Sequence, residues 1–222
     1  MRLEATQLTK KYTSHAQGSR TTYALNSTNL ELQSGQLVII TGKSGSGKST
    51  LLHLLAGLLQ PTSGLVELEG RDIYNMPDQE QSRFRNLHIS VIPQGEAAIH
   101  SLTVLENIQL PCSIYGKTSA KDALALLQEL DMASLAEVYP SELSGGELKR
   151  MSIARGIYQD GNIILADEPT SDLDAENSLL VIKALRQEAD NGKAVLVVTH
   201  DLELLPYADV YYIMNAGSLS KA

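Results

Sequence analysis

Cysteine is nearly absent: one residue, Cys112, stands among 222, which excludes an internal disulfide and fits a reducing compartment. The ordinary role of such a lone thiol is that of a small buried apolar residue. Long apolar runs are missing too. The longest, Leu51 to Leu59, is interrupted by His53 and reaches only about half the length of a membrane span. The first residues, Met1-Arg2-Leu3-Glu4-Ala5, carry no apolar leader core. These absences predict a cytoplasmic chain whose link to a membrane depends on a partner. Positive charge is in deficit as well. With 18 Lys and Arg against 26 Asp and Glu, the net charge of −8 argues against a broad phosphate-backbone footprint. Nucleic acid is therefore not expected as the main partner. There is no internal repeat and no low-complexity tract, and an apolar content of 43% is ample for one α/β domain with an inserted subdomain.

What is present centres on Gly42-Lys43-Ser44-Gly45-Ser46-Gly47-Lys48-Ser49-Thr50. An apolar run, Leu37 to Ile40, precedes it and a Leu-rich segment follows, so the order reads strand, glycine turn, helix. That is the context of a phosphate loop. Glycines let successive N–H groups turn inward on a phosphate, and the positive end of the following helix adds to the field there. Lys48 supplies charge to the β- and γ-phosphates and Ser49 a hydroxyl for Mg²⁺. The chain is expected to bind a nucleoside triphosphate.

Alternating residues over Arg2 to Thr9 and Tyr23 to Leu32 predict two antiparallel strands, with the polar stretch Ser14 to Thr22 as an exposed loop between them. The helix after the phosphate loop is expected to stop at Gln60-Pro61, and Leu65 to Glu69 reads as another alternating strand. Residues from Met76 to Leu87 read as a solvated helix, Gln94 to Pro111 as an irregular connector, and helices follow at Lys121 to Leu130 and after Ser144. Residues 94–158 are thus expected to form a mainly helical insert in a core made of residues 1–93 and 159–222. A helix covers roughly Ala175 to Asn191, and Tyr211 to Leu219 closes the chain as a hairpin-like stretch.

Four apolar runs lack polar alternation: Leu37 to Thr41, Ile89 to Ile92, Asn162 to Ala166 and Ala194 to Thr199. They read as parallel strands buried on both faces. Ligands bind beyond the carboxyl ends of such strands, and the residues found there are the phosphate loop, Gln94, Asp167-Glu168 and His200. Asp167 is placed to hold Mg²⁺. One residue further, Glu168 is placed to orient and deprotonate the attacking water. A lone histidine in the place of His200 is more often structural, but at a strand end it reaches the γ-phosphate and the water. Gln94 is able to link metal, water and insert, because an amide both donates and accepts.

A second glycine turn, Leu143-Ser144-Gly145-Gly146-Glu147, also precedes a helix. Ser144 and Glu147 fit a capping box, and that alone accounts for them. Gly145-Gly146 nevertheless leaves N–H groups bare at a positive helix end, a second anion site. Two phosphate-binding faces for one triphosphate are reconciled by a two-fold, ATP-dependent homodimer, each copy covering the nucleotide held by the other.

Taken together these residues resemble an ATP-binding cassette (ABC) ATPase over nearly the whole chain. Gly42 to Thr50 is similar to the Walker A motif, Gln94 to the Q-loop, Leu143 to Glu147 to the LSGGQ signature, and Ile163 to Glu168 to Walker B. Ser171-Asp172-Leu173-Asp174 is similar to the D-loop, with Asp174 the retained acid, and His200 to the H-loop. The resemblance implies a P-loop NTPase (RecA-like) core with a mainly parallel sheet, an N-terminal antiparallel β-subdomain and an inserted α-helical subdomain. It also implies ATP and Mg²⁺ as cofactors, a membrane-spanning transporter subunit as partner, and Tyr12 as the aromatic stacked on adenine, with Tyr23 a rival. Leu102 to Ile108, Leu110-Pro111, Tyr139 to Glu142 and Ala166 to Thr170 look most like the ATPases of lipoprotein-release and macrolide-efflux transporters. Three departures stand out: Glu147 replaces the usual signature glutamine, Gly95 to Ala98 is less bulky than usual, and Asp172 occupies a place where a small residue is common.

Overall fold

The computed structural model describes residues 1–14, 20–95 and 97–222. Its centre is a six-stranded sheet in the order β10-β9-β3-β8-β7-β6, built from β3 (Leu37–Thr41), β6 (Ile89–Ile92), β7 (Ile163–Asp167), β8 (Ala194–Thr199), β9 (Val210–Asn215) and β10 (Ser218–Lys221). The pairs β3–β8, β7–β8 and β6–β7 are parallel. Every residue of β3, β7 and β8 is buried, as runs without polar alternation require. Successive side chains leave a strand on opposite faces. Leu37 and Ile39, with Ile164 and Ala166, therefore join one core, whereas Val38 and Ile40, with Ile163 and Leu165, join another.

The second core is closed by an antiparallel sheet in the order β2-β1-β4-β5, made of β1 (Arg2–Ser14), β2 (Arg20–Gln33), β4 (Ser63–Leu68) and β5 (Arg71–Asp72). The two long strands reach further than their alternation predicts, since their ends pair as far as Tyr12 with Thr22 and Thr13 with Thr21. Part of the expected loop over Ser14 to Thr22 is therefore strand, and residues 15–19 lie outside the described residues, as does Glu96 of the segment after Gln94. Between the sheets runs α1 (Lys48–Leu55), with Leu51, Leu52, Leu54 and Leu55 buried. It ends well before Gln60-Pro61: the Leu58 N–H returns to the His53 carbonyl at 2.9 Å, closing the last turn before the proline is reached.

The other core is covered by α3 (Val104–Ile114), α4 (Ala123–Glu129), α5 (Gly145–Tyr158) and α6 (Ala175–Asp190), while α2 (Asp78–His88) leads into β6. Helix α3 corrects the irregular connector expected over Gln94 to Pro111. Its start is a capping box: the Thr103 hydroxyl accepts from the Glu106 N–H, and the Glu106 carboxylate accepts from the Thr103 N–H at 2.8 Å. Buried Asn107 then gathers the preceding loop, accepting from the Ile99 N–H and donating to the Ile99, Leu102 and Thr103 carbonyls. Pro111 inside the helix obscured the periodicity without ending it. Removing the cap by Thr103→Ala is expected to cost about 1 kcal/mol and to lower the melting temperature by roughly 2–4 °C. A thermal melt checks this, and an unchanged midpoint would contradict the cap.

A second correction concerns the C-terminus. The expected hairpin exists as β9 and β10, but β9 also joins β3 as a fifth parallel strand. Its exposed and covered residues alternate, so Val210 to Met214, although apolar and aromatic throughout, is not buried on both faces as a central strand is. Among the described residues, no helix is long and apolar enough to cross a membrane.

Candidate active site

The parallel strands end at one edge, and a cleft of about 480 Å³ opens there. Residues 43–50 line it together with Ala24, Gln94, Glu168 and His200. Three of the four strand-end positions named from sequence thus meet the phosphate loop in one cavity, and Asp167 lies just behind them, 2% exposed.

The loop's shape follows from its glycines and from what packs under it. Gly47 has φ +108 and caps α1, and a Cβ there would stand 2.3 Å from the Ala24 carbonyl oxygen. Only glycine allows both that backbone and that approach. The C-terminal hairpin holds the loop from below, with the Gly217 N–H bonded to the Ser46 carbonyl at 2.9 Å. Lys48, 6% exposed, donates through Nζ to the Gly42 carbonyl at 2.6 Å and to that of Lys43 at 3.3 Å. Its ammonium is held where an anion in the loop would meet it.

Glu168 has the left-handed φ of 47°, which residues other than glycine adopt rarely. Its N–H is bonded to the Val198 carbonyl at 2.8 Å. The side chain is buried and its two oxygens are treated differently. Oε2 accepts from the Thr199 hydroxyl at 3.0 Å, the His200 N–H at 3.2 Å and His200 Nδ1 at 3.0 Å. A carboxylate acceptor selects the histidine tautomer that carries its proton on Nδ1. Oε1 faces Lys48 Nζ at 3.7 Å. The result is a carboxylate fixed by three donors on one oxygen, with its other oxygen turned to the cation of the phosphate loop.

Asp167 Oδ1 is buried without a hydrogen-bond partner. Burial raises its carboxyl pKa above the usual range, and the neighbouring Ser49 hydroxyl and the Lys48 cation offset this only in part. An orphaned carboxylate oxygen beside Ser49 suits a divalent cation, because magnesium is held by one or two carboxylates together with hydroxyl and phosphate oxygens.

Other expected site residues lie elsewhere. Tyr12 is 48% exposed and is not among the residues lining the cleft; Lys10 Nζ stands over its ring at 5.4 Å. Tyr23 is equally outside, with Lys11 over it at 4.8 Å. Ser144 is exposed and caps α5: its N–H and hydroxyl both donate to Glu147 Oε2 at 2.7 Å, and these bonds hold the Glu147 carboxyl below its ordinary pKa. Gly145 and Gly146 form the first turn of that helix. Asp174 caps α6 by accepting from the Asn177 N–H at 2.8 Å. None of Ser144, Gly145, Gly146, Glu147 and Asp174 lines the cleft of its own chain.

Sequence reasoning missed three contributors. Ala24 carries no signal, being a small residue on the antiparallel sheet. Thr199 stood in view at its strand end but had no partner until Glu168 folded against it. Lys149, 5% exposed on α5, was detectable only as a charge on a helix face that is otherwise buried.

A glycine loop wrapped around a lysine, an orphaned aspartate and a clamped glutamate at the ends of parallel strands define a nucleoside-triphosphatase site of the P-loop class. Comparison with known proteins refines this. A profile of the ABC transporter family matches residues 25–171. The chain is 37% identical over 221 residues to the "Lipoprotein-releasing system ATP-binding protein LolD" of Buchnera aphidicola, covering 98% of this chain and 95% of that one. It is also 37% identical over 209 residues to the "Macrolide export ATP-binding/permease protein MacB" of Haemophilus ducreyi, which covers 92% of this chain but 30% of that longer protein. A solved dimeric cassette, MJ0796 in a post-hydrolysis state bound to ADP and Pi, superposes with a TM-score of 0.89 at 32% identity, covering 99% of this chain and 98% of that one. The chain belongs to the ABC transporter family and is an ATPase subunit of that type.

Proposed function

We propose that the chain binds MgATP between two copies of itself, hydrolyses it, and thereby drives a separate membrane-spanning subunit in a transporter of the lipoprotein-release and macrolide-export type. The observation that carries this reading is the clamp on Glu168, which aims one carboxylate oxygen at the cleft beside Lys48. The phosphates lie in the loop of Gly42 to Thr50, held by N–H groups and Lys48. Asp167, Ser49 and Gln94 would hold a magnesium ion, which when bound would neutralise charge on the phosphates. Glu168 takes a proton from the attacking water, and His200 and Gln94 orient that water and the γ-phosphate. Phosphoryl transfer needs little beyond this positioning and charge stabilisation.

Ser144, Gly145, Gly146 and Glu147, with Asp174, are assigned to the partner's nucleotide, since none of them faces the cleft of its own chain. The helix start at Ser144 presents free N–H groups outward, which suits an anion carried on another copy. Dimeric solved relatives support the arrangement. Tyr12 is assigned to the adenine, which would lie over the exposed C-terminal end of β1. The helical residues 94–158 pass the movement of the closing pair to the membrane subunit, and the chain sits at the inner face of the membrane through that subunit.

Replacing Ser144 with arginine places a bulky cation at the contact and is expected to abolish the ATP-dependent dimer while the monomer still binds nucleotide. Light scattering with and without ATP, beside a nucleotide-binding titration, reads both quantities. A dimer that persists in this variant would overturn the shared site.

A further inference from the structure

Lys149 lies on the buried side of α5, one turn into the helix that begins at the Ser144 cap, and is 5% exposed. Its Nζ donates to the Gln94 carbonyl at 3.0 Å and to the Ser171 hydroxyl at 3.4 Å. The Ser171 hydroxyl in turn donates to the Glu168 carbonyl at 2.9 Å, and the Ser171 N–H bonds the same carbonyl at 3.2 Å. One ammonium thus joins the segment after β6, the turn after β7 and the helix of the second glycine turn, three stretches remote in sequence. Packing alone does not call for a lysine here. A buried ammonium loses its hydration, and an apolar side chain of the same length would fill the space without that cost. Burial accordingly pulls the Lys149 pKa below the usual lysine range, against the opposing pull of Asp167, Asp172 and Glu168.

The two acceptors explain the choice. Gln94 is exposed on the cleft wall, so the direction of its amide depends on where its backbone is pinned. Glu168 sits in the sparsely populated left-handed region, and Ser171 closes the turn that keeps it there. We propose that Lys149 is a positioning residue for ATP hydrolysis: it pins the Gln94 carbonyl and, through Ser171, the Glu168 turn, so that the two reach the cleft in a fixed relation set by α5. Because α5 starts at Ser144, contact of a second copy with that helix start has a direct mechanical route to Gln94 and Glu168 of the same chain. The inference rests on the reading of Gln94 and Glu168 as hydrolytic residues.

The test compares Lys149→Met, Lys149→Gln, Gln94→Ala and the Lys149→Met/Gln94→Ala double variant by steady-state phosphate release, nucleotide affinity and thermal melting. Lys149→Met is expected to lower kcat by about tenfold while the affinity for ATP stays within about twofold, the split that separates positioning from binding. Lys149→Gln keeps a donor without the charge and is expected to restore roughly half of the lost rate. In the Gln94→Ala background Lys149→Met should add only about threefold instead of tenfold, because the Gln94 arm is already lost and only the link through Ser171 to the Glu168 turn remains to be broken. A Lys149→Met enzyme with wild-type kcat beside an impaired Gln94→Ala enzyme overturns the inference and leaves the reading of the site intact. Wild-type kcat in Gln94→Ala itself overturns the reading of Gln94, and the inference with it. Loss of rate, affinity and melting temperature together in Lys149→Met also overturns it, as that is the pattern of a packing residue. Should Lys149→Met not fold, Ser171→Ala removes the same link from its other end, with a fall in kcat of about threefold or more expected at unchanged affinity and an unchanged kcat overturning the proposal.

Discussion

Glu168→Gln is expected to lower ATP turnover by roughly 10²–10⁴-fold, the range set by loss of a general base, while ATP binding stays within a few-fold of the parent. The side chain keeps its size, and its amide oxygen is still able to accept from Thr199 and His200, which stand 3.0 Å from the present Oε2. What disappears is the proton acceptor beside Lys48. An amide does not take up a proton at neutral pH, so the attacking water keeps its own. The phosphate loop is untouched, so affinity survives, and a nucleotide that is bound but not consumed should accumulate the ATP-dependent dimer. Steady-state phosphate release and a binding titration on the same preparation check both halves. Unchanged hydrolysis would sink the assignment of Glu168.

Lys48→Met should act on the opposite quantity. Its cation is the one buried in the phosphate loop, 2.6 Å from the Gly42 carbonyl and 3.7 Å from Glu168. Methionine preserves most of the apolar stem, so the packing of α1 is kept. Truncating one partner of a buried charge-assisted contact typically costs about 2–5 kcal/mol, so the affinity for ATP should fall by about 30-fold or more. Turnover at low ATP should fall with it. The melting temperature should move little, because the three donors on Glu168 Oε2 remain. Calorimetric titration with ATP decides the matter: an affinity within threefold of the parent, on the order of 0.6 kcal/mol, would remove Lys48 from the site.

Much of the fold was legible wherever local chemistry and global position agree. The runs Leu37 to Thr41 and Ala194 to Thr199 coincide with β3 and β8, because a strand buried on both faces has no polar residue to blur its limits. The capping residue Ser144 announced α5, and the helix expected from roughly Ala175 coincides in its start with α6. The failures had the opposite cause. In α3 the signal was a Thr103–Glu106 box four residues long, while Pro111 and the polar Asn107 broke the apolar stripe. Asn107 is buried there because it bonds the loop before the helix, a partner that periodicity does not register. Strand β9 was hidden because one of its faces remains open, so it reads as an edge although it pairs parallel to β3.

The sequence by itself determined the chemistry that is contiguous or tied to a strand end. Gly42 to Thr50 forms a phosphate loop from its own glycine spacing, and parallel strands deliver whatever follows them to one edge of the sheet. Gln94, Glu168 and His200 therefore met the loop without further information. The tertiary structure alone decided how these groups are held: three donors on one oxygen of Glu168, Lys149 reaching 55 residues back to Gln94 and 22 forward to Ser171, and Tyr12 outside the cleft with Lys10 over its ring. Those are contacts between segments far apart in the chain. Their geometry depends on how α5 and the two sheets pack, and packing is set by the whole core rather than by any stretch of it.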